Sequence, residues 1–366
     1  MEKEAIFESL KPSQPKAFEN NIIDDFVFEK LSLNSCRRCE DLFVKAKNYA
    51  KEKGGENNMV YKPFPDLKSM LLNSIVYGIN STEDKLLKEN KSLIGIIGLK
   101  KMSEQPINDI IEKNIETIPI INFWKDIIKT FPSFYAGSLL LDPNFRGQNL
   151  GDFIMKGMMD KCKEMNGKIL FAEINPLFLL SRKPLVKYSY LSFTVQHQVM
   201  NMLNLFNETK ETLLTQDITI LDKDLADKMK ECFYMDTKTK FEYTEENVET
   251  LKAGILGESK KDPLVGDDEI IIWEKEVVNY RETLVPYKIK FDVEKMKEVV
   301  EEFEQKETEK QIMKNLEDAR KQLEKLRKSK NIMTRTNSSI NYDEFEKFAE
   351  RVVNRRNSDS SSLLNK

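Results

Sequence analysis

The sequence predicts an α/β fold followed by a helical C-terminal extension. Up to about residue 200, short apolar runs typical of buried strands alternate with segments whose apolar residues recur at helical spacing. The order of these elements, β-α-α-β-α-β-α-β, is typical of a sheet with helices packed on it. A highly charged stretch, 292–328, carries apolar residues every three or four positions and accounts for the extension.

The N-terminal elements are predicted from alternation, caps and breaks. Residues 1–21 are expected to form a loose leader, after which "DDFVFEKLSL" alternates as a strand does. Ser35 is placed to cap a helix over "CRRCEDLFVKAKNYAKEK", which Gly54 and Gly55 end. A second helix is predicted over "DLKSMLLNSIVYGI", followed by the buried strand "SLIGIIGLKKM". A further helical segment, 107–131, is broken at Pro119.

The middle of the chain predicts strands and helices in close succession. "FYAGSLLLD" and "KILFAEI" are typical buried strands, and between them "GDFIMKGMMDKCKEMNG" has apolar residues at helical spacing and closes at Asn166 and Gly167. A helix over "LFLLSRKPLVKYSYL", which contains Pro184, and a strand over "SFTVQHQVMNM" follow.

The remaining chain gives weaker signals. Over 206–291 we expect an additional α/β segment with a strand at "DITIL", a helix at "KDLADKMKECFYM" and a strand at "DEIIIWEKEV". The apolar spacing over 292–330 predicts a long amphipathic helix, with a short coiled coil of about two heptads as one arrangement for it. Residues 331–366 are expected to hold a short helix and a disordered tail.

Composition excludes several classes of protein. The 366 residues are 40% hydrophobic and carry a formal net charge of −3, which provides no basic field for a nucleic acid. No run approaches a membrane span, and the start lacks a signal peptide's apolar core. Four scattered cysteines predict reduced thiols, and the single histidine, His197, excludes a His-rich metal site. We therefore predict a cytoplasmic protein, with the nucleus as the alternative, without metal, membrane or nucleic-acid partner.

The strongest functional signal lies in "LLLDPNFRGQNLGDF", residues 139–153. Here a strand leads through Pro143 and an Arg-Gly pair to a second glycine at the start of a helix. Free backbone N–H groups and the positive end of the helix dipole suit an anion such as a pyrophosphate. Glycine also permits close approach of the backbone to a ligand. A strand–turn–helix connection without a ligand is the structural alternative.

Together with the chain that follows it, this stretch resembles the central motif of the GNAT superfamily, the acyl-CoA-dependent N-acyltransferases. That motif has an apolar strand, a Pro, Arg/Gln-x-x-Gly-x-Gly/Ala, a long helix and a further strand. Arg146, Gly147 and Gly151 match it, whereas Asn149 stands where the family has its middle glycine. Asn tolerates left-handed backbone better than most residues, so the loop shape can survive this change.

A second match lies downstream in "SRKPLVKYSYLSF". Its Tyr188 and Phe193 fall on the Tyr and Phe of the family pattern Asn-x-x-Ala-x-x-Leu-Tyr-x-x-x-Gly-Phe, and Ser181 replaces the Asn. The resemblance implies a GNAT-like twisted mixed sheet of about six to seven strands, flanked by helices, within 22–205. It also implies a V-shaped split beside the strand that precedes the phosphate loop.

The resemblance assigns acetyl-CoA, or another acyl-CoA, as cosubstrate. The backbone of Leu139, Leu140 and Leu141 would bind the pantetheine arm; the alternative is that these are simply buried strand residues, and both can hold at once. Arg146 would accompany the phosphates, its alternative being an ion pair with Asp142 or Asp152. The amides that would meet the pyrophosphate are those of Gly147, Gln148, Asn149, Leu150 and Gly151. Ser181 would hydrogen-bond the cofactor or cap a helix.

Acyl transfer from a thioester to an amine needs a neutral amine and a proton for the departing thiolate. Tyr188 stands where the family places its general acid, with an aromatic core residue as the alternative. Glu173, on the strand after the phosphate helix, is the candidate base acting through water, with a sheet-edge or solvent-facing residue as the alternative. His197 is more typical of a strand surface.

The predicted function is acyl transfer to the amine of a small molecule or protein by direct attack in a ternary complex. The alternative is a GNAT-like CoA-binding or scaffold protein with little or no activity, acting on a partner or on itself through 292–328. Asn149 and the weak second motif favour the alternative.

Overall fold

In a computed structural model of the chain, the described residues are 26–53, 71–72, 74–81, 93–102, 124, 127–128, 130–145, 150–177, 179–203, 209–257, 262–278 and 280–333. The chain divides into two compact units, one ending at Glu304 and one beginning at Gln305. The sheet and the candidate site belong to the first unit. What is described of the second unit, 305–333, is helical.

The described residues of the first unit form ten strands: β1 (Phe26–Lys30), β2 (Ile75–Ser81), β3 (Gly95–Lys101), β4 (Ser133–Leu141), β5 (Ile169–Ile174), β6 (Leu191–Leu203), β7 (Thr209–Ile220), β8 (Phe233–Lys240), β9 (Glu269–Val278) and β10 (Arg281–Phe291). The longer helices are α1 (Cys36–Lys53), α2 (Leu150–Glu164), α3 (Leu179–Tyr188), α4 (Lys223–Lys230), α5 (Glu245–Leu256) and α6 (Val293–Met333).

All ten strands belong to one sheet, in the order β1-β2-β3-β4-β5-β7-β6-β9-β10-β8. Only β4 and β5 are parallel neighbours; every other described pair is antiparallel. The predicted α/β class with a mixed sheet is confirmed. Six of the ten described strands, β1 to β6, lie within the predicted bounds 22–205, in agreement with the six to seven strands predicted there. The sheet continues beyond these bounds through β7 and through β8, β9 and β10, here called the sheet extension, which joins the sheet by a pairing of β6 with β9.

The predicted boundary at residue 205 falls between two strands that are neighbours in the sheet. β6 and β7 pair from Leu191↔Ile220 to Leu203↔Thr209, and β7 also pairs with β5. The segment predicted as 206–291 therefore supplies both a central strand and the sheet extension.

Helices cover both faces of the sheet. On the α2 face, Ile154, Met158 and Cys162 of α2 pack against alternate residues of β3 and β5, and Leu185 of α3 joins them. On the opposite, α1 face, α1 covers β2 and β3. Further along the α1 face, α4 and the first turns of α6 pack on the strands from β5 to β10, together with Trp124, Ile127, Ile128 and Phe131. Because the first turns of α6 are buried in this core, they complete the sheet domain.

Two predicted helices differ from the structure. The helix predicted over 66–79 is wrong in its second half, because Ile75–Ser81 is strand β2. A Cβ at Gly78 would lie 2.6 Å from a methyl group of Leu93 and 2.8 Å from one of Leu31, so any other residue there would displace these side chains. The helix predicted over 223–235 ends at Lys230, and β8 begins at Phe233. Helix α5 and strand β10 were not predicted.

Candidate active site

The parallel strands β4 and β5 separate part-way along their length. They pair at Ser133↔Ile169, Phe134↔Leu170 and Tyr135↔Phe171, and in the described residues the ladder ends there. β4 nevertheless continues to Leu141 and β5 to Ile174. Backbone groups of β4 beyond Tyr135 therefore face a gap in the sheet. The resemblance implies a split at this place.

An irregularity in β4 coincides with the gap. Its register with β3 shifts between Ile97↔Leu139 and Leu99↔Ala136, so that Gly137 and Ser138 lie opposite Gly98 alone. A bulge of this kind bends its strand and increases the local twist. The bend lies at the point where β4 leaves β5.

The three leucines predicted to line the cofactor differ in exposure. Leu140 is buried against α1, Leu141 is half-buried, and Leu139 is 41% exposed. Burial in the core therefore explains why residue 140 is apolar. It does not explain the apolar residue at Leu139, whose side chain is left in contact with solvent. An exposed apolar residue beside a gap is a position where the methylene groups of a ligand gain free energy by contact.

The turn after β4 is anchored by a buried carboxylate. Asp142 accepts a hydrogen bond from the backbone N–H of Asn144 at 3.0 Å, and it forms an ion pair with Lys45 Nζ at 3.1 Å. Its own N–H donates to the Ile94 carbonyl at 2.7 Å. The predicted phosphate-contacting residues Arg146, Gly147, Gln148 and Asn149 lie outside the described residues.

Helix α2 begins beside open space. Leu150 is buried, whereas Gly151 is exposed, and a Cβ added to Gly151 would meet nothing within 4 Å among the described residues. Just beyond the C-terminal end of the helix, Asn166 has a φ of 61°, which lets the Gly167 N–H donate to the Cys162 carbonyl at 2.7 Å. Among the described residues, packing thus fixes the C-terminal end of α2 and leaves Gly151 in its N-terminal turn uncovered.

Tyr188 lies next to that N-terminal turn. Its hydroxyl donates to the Asp152 carboxylate at 2.6 Å, and Lys187 Nζ pairs with the same oxygen at 2.5 Å. Burial, followed by the hydrogen bond to Asp152, raises the pKa of the Tyr188 phenol, so it stays protonated at neutral pH. Asp142 and Asp152, the two carboxylates considered as ion-pair partners for Arg146, thus have lysine partners of their own. Of Ser181 the structure gives the backbone position in the first turn of α3.

Glu173 lies on β5 just past the end of the ladder with β4, on the α1 face. Its carboxylate accepts hydrogen bonds from the Tyr135 hydroxyl at 2.8 Å and from Gln198 Nε2 at 2.6 Å. Burial and the neighbouring carboxylate raise the pKa of Tyr135 well above its usual value, so this phenol remains a donor. Glu173 is half-buried and hydrogen-bonded, which differs from a solvent-facing strand residue.

The amide of Gln198 continues a chain of buried polar side chains. It accepts from Gln216 Nε2 at 2.7 Å, and Gln216 in turn accepts from Gln196. Tyr135 and these glutamines were missed at the level of sequence. The alternate spacing of Gln196 and Gln198 was the available signal, because residues at alternate strand positions share one face.

The Glu173 cluster and the Tyr188 cluster lie on opposite faces of the sheet. The gap between β4 and β5 separates them, with Glu173 on the α1 face and Tyr188 beside α2 on the other.

His197 is not part of either cluster. It faces α5 rather than Glu173, and its side chain is fully buried. Its Nδ1 lies 2.8 Å from Asp262 Oδ2 and its Nε2 lies 2.7 Å from the Tyr243 hydroxyl. The expectation of a strand surface residue is therefore wrong.

The described residues contain no group of three or more His, Cys, Asp or Glu side chains that could hold a metal ion. Nor does any helix in the described ranges have the length and apolar character needed to cross a bilayer. The four cysteines are free thiols, three of them buried.

Comparison with known proteins gives matches in structure only, and no protein-family model or curated protein matches the sequence. A GNAT-family acetyltransferase from Listeria monocytogenes matches with a TM-score of 0.34 at 13% identity, covering 52% of this chain and 93% of its own. The spermidine N-acetyltransferase from Vibrio cholerae, in complex with CoA and spermine, gives 0.34 at 11%, covering 55% and 99%. The ribosomal-protein-S18-alanine N-acetyltransferase from Escherichia coli gives 0.32 at 6%, covering 54% and 94%. Similarity at this level assigns neither family nor activity.

Proposed function

We propose that this chain is an N-acyltransferase that moves an acetyl or other acyl group from acyl-CoA to an amine. The observation that carries the proposal is the separation of β4 and β5, with a carboxylate on one face and an open helix N-terminus on the other. Beyond Tyr135, the backbone of β4 has no strand partner on its β5 side among the described residues, which suits the amide groups of a pantetheine arm. The space beside Gly151 suits the pyrophosphate.

The CoA contacts that we propose are those that the resemblance implies. Leu139, Leu140 and Leu141 lie along the gap, and the amides from Gly147 to Gly151, with Arg146, would follow at the start of α2. In that placement the thioester lies deeper in the sheet than the phosphates. The bound acyl-CoA supplies the electrophilic carbonyl.

Glu173 is the residue proposed to take the proton of the attacking amine. An amine that arrives protonated must lose a proton before it can attack, and a carboxylate is its acceptor, directly or through a water molecule. The two hydrogen bonds from Tyr135 and Gln198 fix the orientation of this carboxylate. Holding donor and acceptor in place contributes to the rate by itself.

Tyr188 is the residue proposed to return a proton to the departing sulfur. As the C–S bond breaks, the thiolate accepts the phenolic proton, while the new C–N bond forms on the amine. The hydroxyl donates to Asp152 in the present structure, so it must turn from Asp152 towards the sulfur. Because Asp152 also binds Lys187, its charge remains compensated when the phenol turns away.

The first experiment tests cofactor binding without knowledge of the acceptor. Purified protein is analysed by mass spectrometry for retained CoA and is titrated with acetyl-CoA in a calorimeter. Binding is expected. A folded sample that gives no heat would remove the basis of the enzyme proposal.

The second experiment tests Glu173. A panel of small primary amines and peptides with free N-termini is screened for acetylation, and Glu173→Gln is compared with Glu164→Gln, a control at an exposed position of α2. Loss of a general base typically lowers turnover by about 10²–10⁴-fold. Unchanged turnover in Glu173→Gln would exclude it as the base, whereas acetyl-CoA affinity is expected to stay the same in both variants.

A second candidate function is CoA binding without acyl transfer. The contact that favours it is the short Tyr188–Asp152 hydrogen bond, which engages the candidate acid with a carboxylate. This second function predicts acetyl-CoA binding in the calorimeter and no acetylated product from any amine in the screen.

A further inference from the structure

The least exposed charged side chain of the described residues is Arg182, in the middle of α3. It is 1% exposed and forms an ion pair with Asp217 of β7, Nη2 to Oδ2, at 3.1 Å. Its other hydrogen bonds go to Thr215 at 2.7 Å and Thr194 at 3.2 Å. Thr194 also donates to Asp217, so one guanidinium and one carboxylate join α3 to the two central strands β6 and β7.

The sheet extension also contacts this ion pair, through Trp273. The guanidinium carbon of Arg182 lies 3.7 Å from the ring centre of Trp273 on β9, a cation–π contact, and Trp273 Nε1 donates to Thr194 at 3.1 Å. The Tyr243 ring stacks on Trp273, with ring centres 5.7 Å apart and planes 9° apart. Tyr243 is in turn bonded to His197, and His197 to Asp262.

Stability alone is a poor explanation for this buried pair. Burial lowers the pKa of the Arg182 guanidinium while Asp217 opposes that shift, and Nε of Arg182 has no hydrogen-bond partner among the described residues. Replacing a buried ion pair by well-packed apolar residues is often neutral or stabilising. What the pair does provide is a fixed direction, because a guanidinium bonded to three side chains tolerates one orientation only.

The element that Arg182 fixes carries the candidate acid. Six residues further along α3, Tyr188 reaches Asp152 of α2 at 2.6 Å, and Lys187 reaches the same carboxylate. The short helix α3 is interrupted by Pro184, which removes a backbone hydrogen bond within it. The contacts of Arg182 with β6 and β7, together with the buried Leu185, attach the helix to the sheet.

We propose that Arg182 is a positioning residue. Clamped between Asp217 and Trp273, it sets the position of α3 on the sheet and thereby places the Tyr188 hydroxyl at the start of α2. The sheet extension is accordingly part of the support of the acyl-transfer site. The inference rests on the proposed function for its catalytic consequence, but its structural content can be tested without activity.

The test without activity is a double-mutant cycle on unfolding. Tyr188→Phe removes the bond to Asp152 and is expected to lower the urea midpoint of the full chain. The same substitution is made in an Arg182→Met/Asp217→Val background, where both partners are replaced together so that no buried charge is orphaned. If Arg182 places Tyr188, Tyr188→Phe has no effect on the midpoint there. An equal loss in both backgrounds would overturn the proposal.

The test with activity uses the amine identified by the screen. The Arg182→Met/Asp217→Val protein is expected to lose about tenfold in kcat, since small misplacements of a reacting group cost this much or more. Adding Tyr188→Phe is expected to cause no further loss. A further loss equal to that of Tyr188→Phe in the wild-type background would show that Arg182 does not act through Tyr188, and would overturn the proposal.

Two further variants complete the test. Thr194→Val removes the hydroxyl shared by Arg182, Asp217 and Trp273 while keeping the ion pair, and it replaces the double variant if that fails to fold. Lys183→Met, at the neighbouring and less buried position of α3, is the matched control. In the Lys183→Met background, Tyr188→Phe is expected to lower the urea midpoint and kcat by as much as it does in the wild-type chain. If no amine is acetylated, the proposed function fails, and the unfolding cycle alone still confirms or overturns the positioning role.

Discussion

Filling the space beside the first turn of α2 should abolish CoA binding without unfolding the protein. Gly151→Trp places a large ring where a Cβ has no neighbour within 4 Å among the described residues, so no steric cost in folding is expected. Tryptophan is also a better helix former than glycine, by about 0.5 kcal/mol. We therefore expect the free energy of unfolding to change by no more than about 0.5 kcal/mol.

The expected loss of binding is much larger. A hydrogen bond to a charged group is worth about 1.5–3 kcal/mol, so losing two backbone amide contacts to a pyrophosphate costs about 3–6 kcal/mol. This corresponds to an increase in the dissociation constant of more than about 100-fold. Acetyl-CoA titration by calorimetry measures the constant, and urea unfolding of the same preparation measures stability.

A matched control lies at the other end of the same helix. A Cβ at Gly167 would lie 2.8 Å from the Cys162 carbonyl oxygen and 2.8 Å from the ring of the buried Phe134. Gly167→Ala should therefore cost about 1–3 kcal/mol in stability. Its affinity for acetyl-CoA should be unchanged. Unaltered affinity in Gly151→Trp would refute the placement of the phosphates at α2.

Three further predictions address other parts of the chain. Asp222 caps α4; burial acts to raise its pKa, but hydrogen bonds from Leu225 and Lys168 lower it below its usual value. Its stabilisation is present above about pH 4 and is lost as the pH falls further, so Asp222→Ala should cost about 1 kcal/mol at pH 7 and much less at pH 3 in urea unfolding. Asn149→Gly, which restores the glycine of the family motif, should preserve or tighten acetyl-CoA binding in the calorimeter; weaker binding would contradict that loop assignment. If 305–330 forms a coiled coil, a chain ending at Glu304 should stay folded but lose self-association in sedimentation velocity; identical sedimentation would exclude the coiled coil.

The choice of Glu304 for that truncation depends on the structure. The sequence predicted one amphipathic helix from 292 onward as a surface for association, which suggests a cut near residue 290. Met296, Val299, Val300 and Phe303 are buried in the core beneath the sheet, so a cut at 290 would remove them. Helical periodicity shows that a face is apolar, but it does not show what covers that face.

The candidate site was predictable where it depends on local order in the chain. The strand, turn and helix from Leu139 onward, and Glu173 on the next strand, follow from patterns within about 40 residues of each other. The hydrogen-bond partners of Glu173 do not follow from such local patterns. They depend on β7 lying between β5 and β6, an order that no periodicity contains.

A single irregularity in β6 decides which side chains reach Glu173. Strict alternation from Phe193, which is buried on the α1 face, would place His197 on that face. The register with β7 shifts between Thr194 and Gln196, so one extra residue moves Gln196 and Gln198 to the α1 face and His197 to the other. A bulge leaves no reliable mark in one sequence, which is why the glutamines were missed.

The same strand explains why the sheet extension cannot be separated from the candidate site. On its α1 face β6 provides Gln198 to the candidate base, and on its α2 face it provides Thr194 to the Arg182 pair. β9 covers the edge of β6 and contributes Trp273, which contacts both Thr194 and Arg182. Without the extension, β6 would become an open edge and the ion pair would lose its apolar cover, both of which are costly. The extension therefore stabilises the strand on which both halves of the proposed chemistry depend.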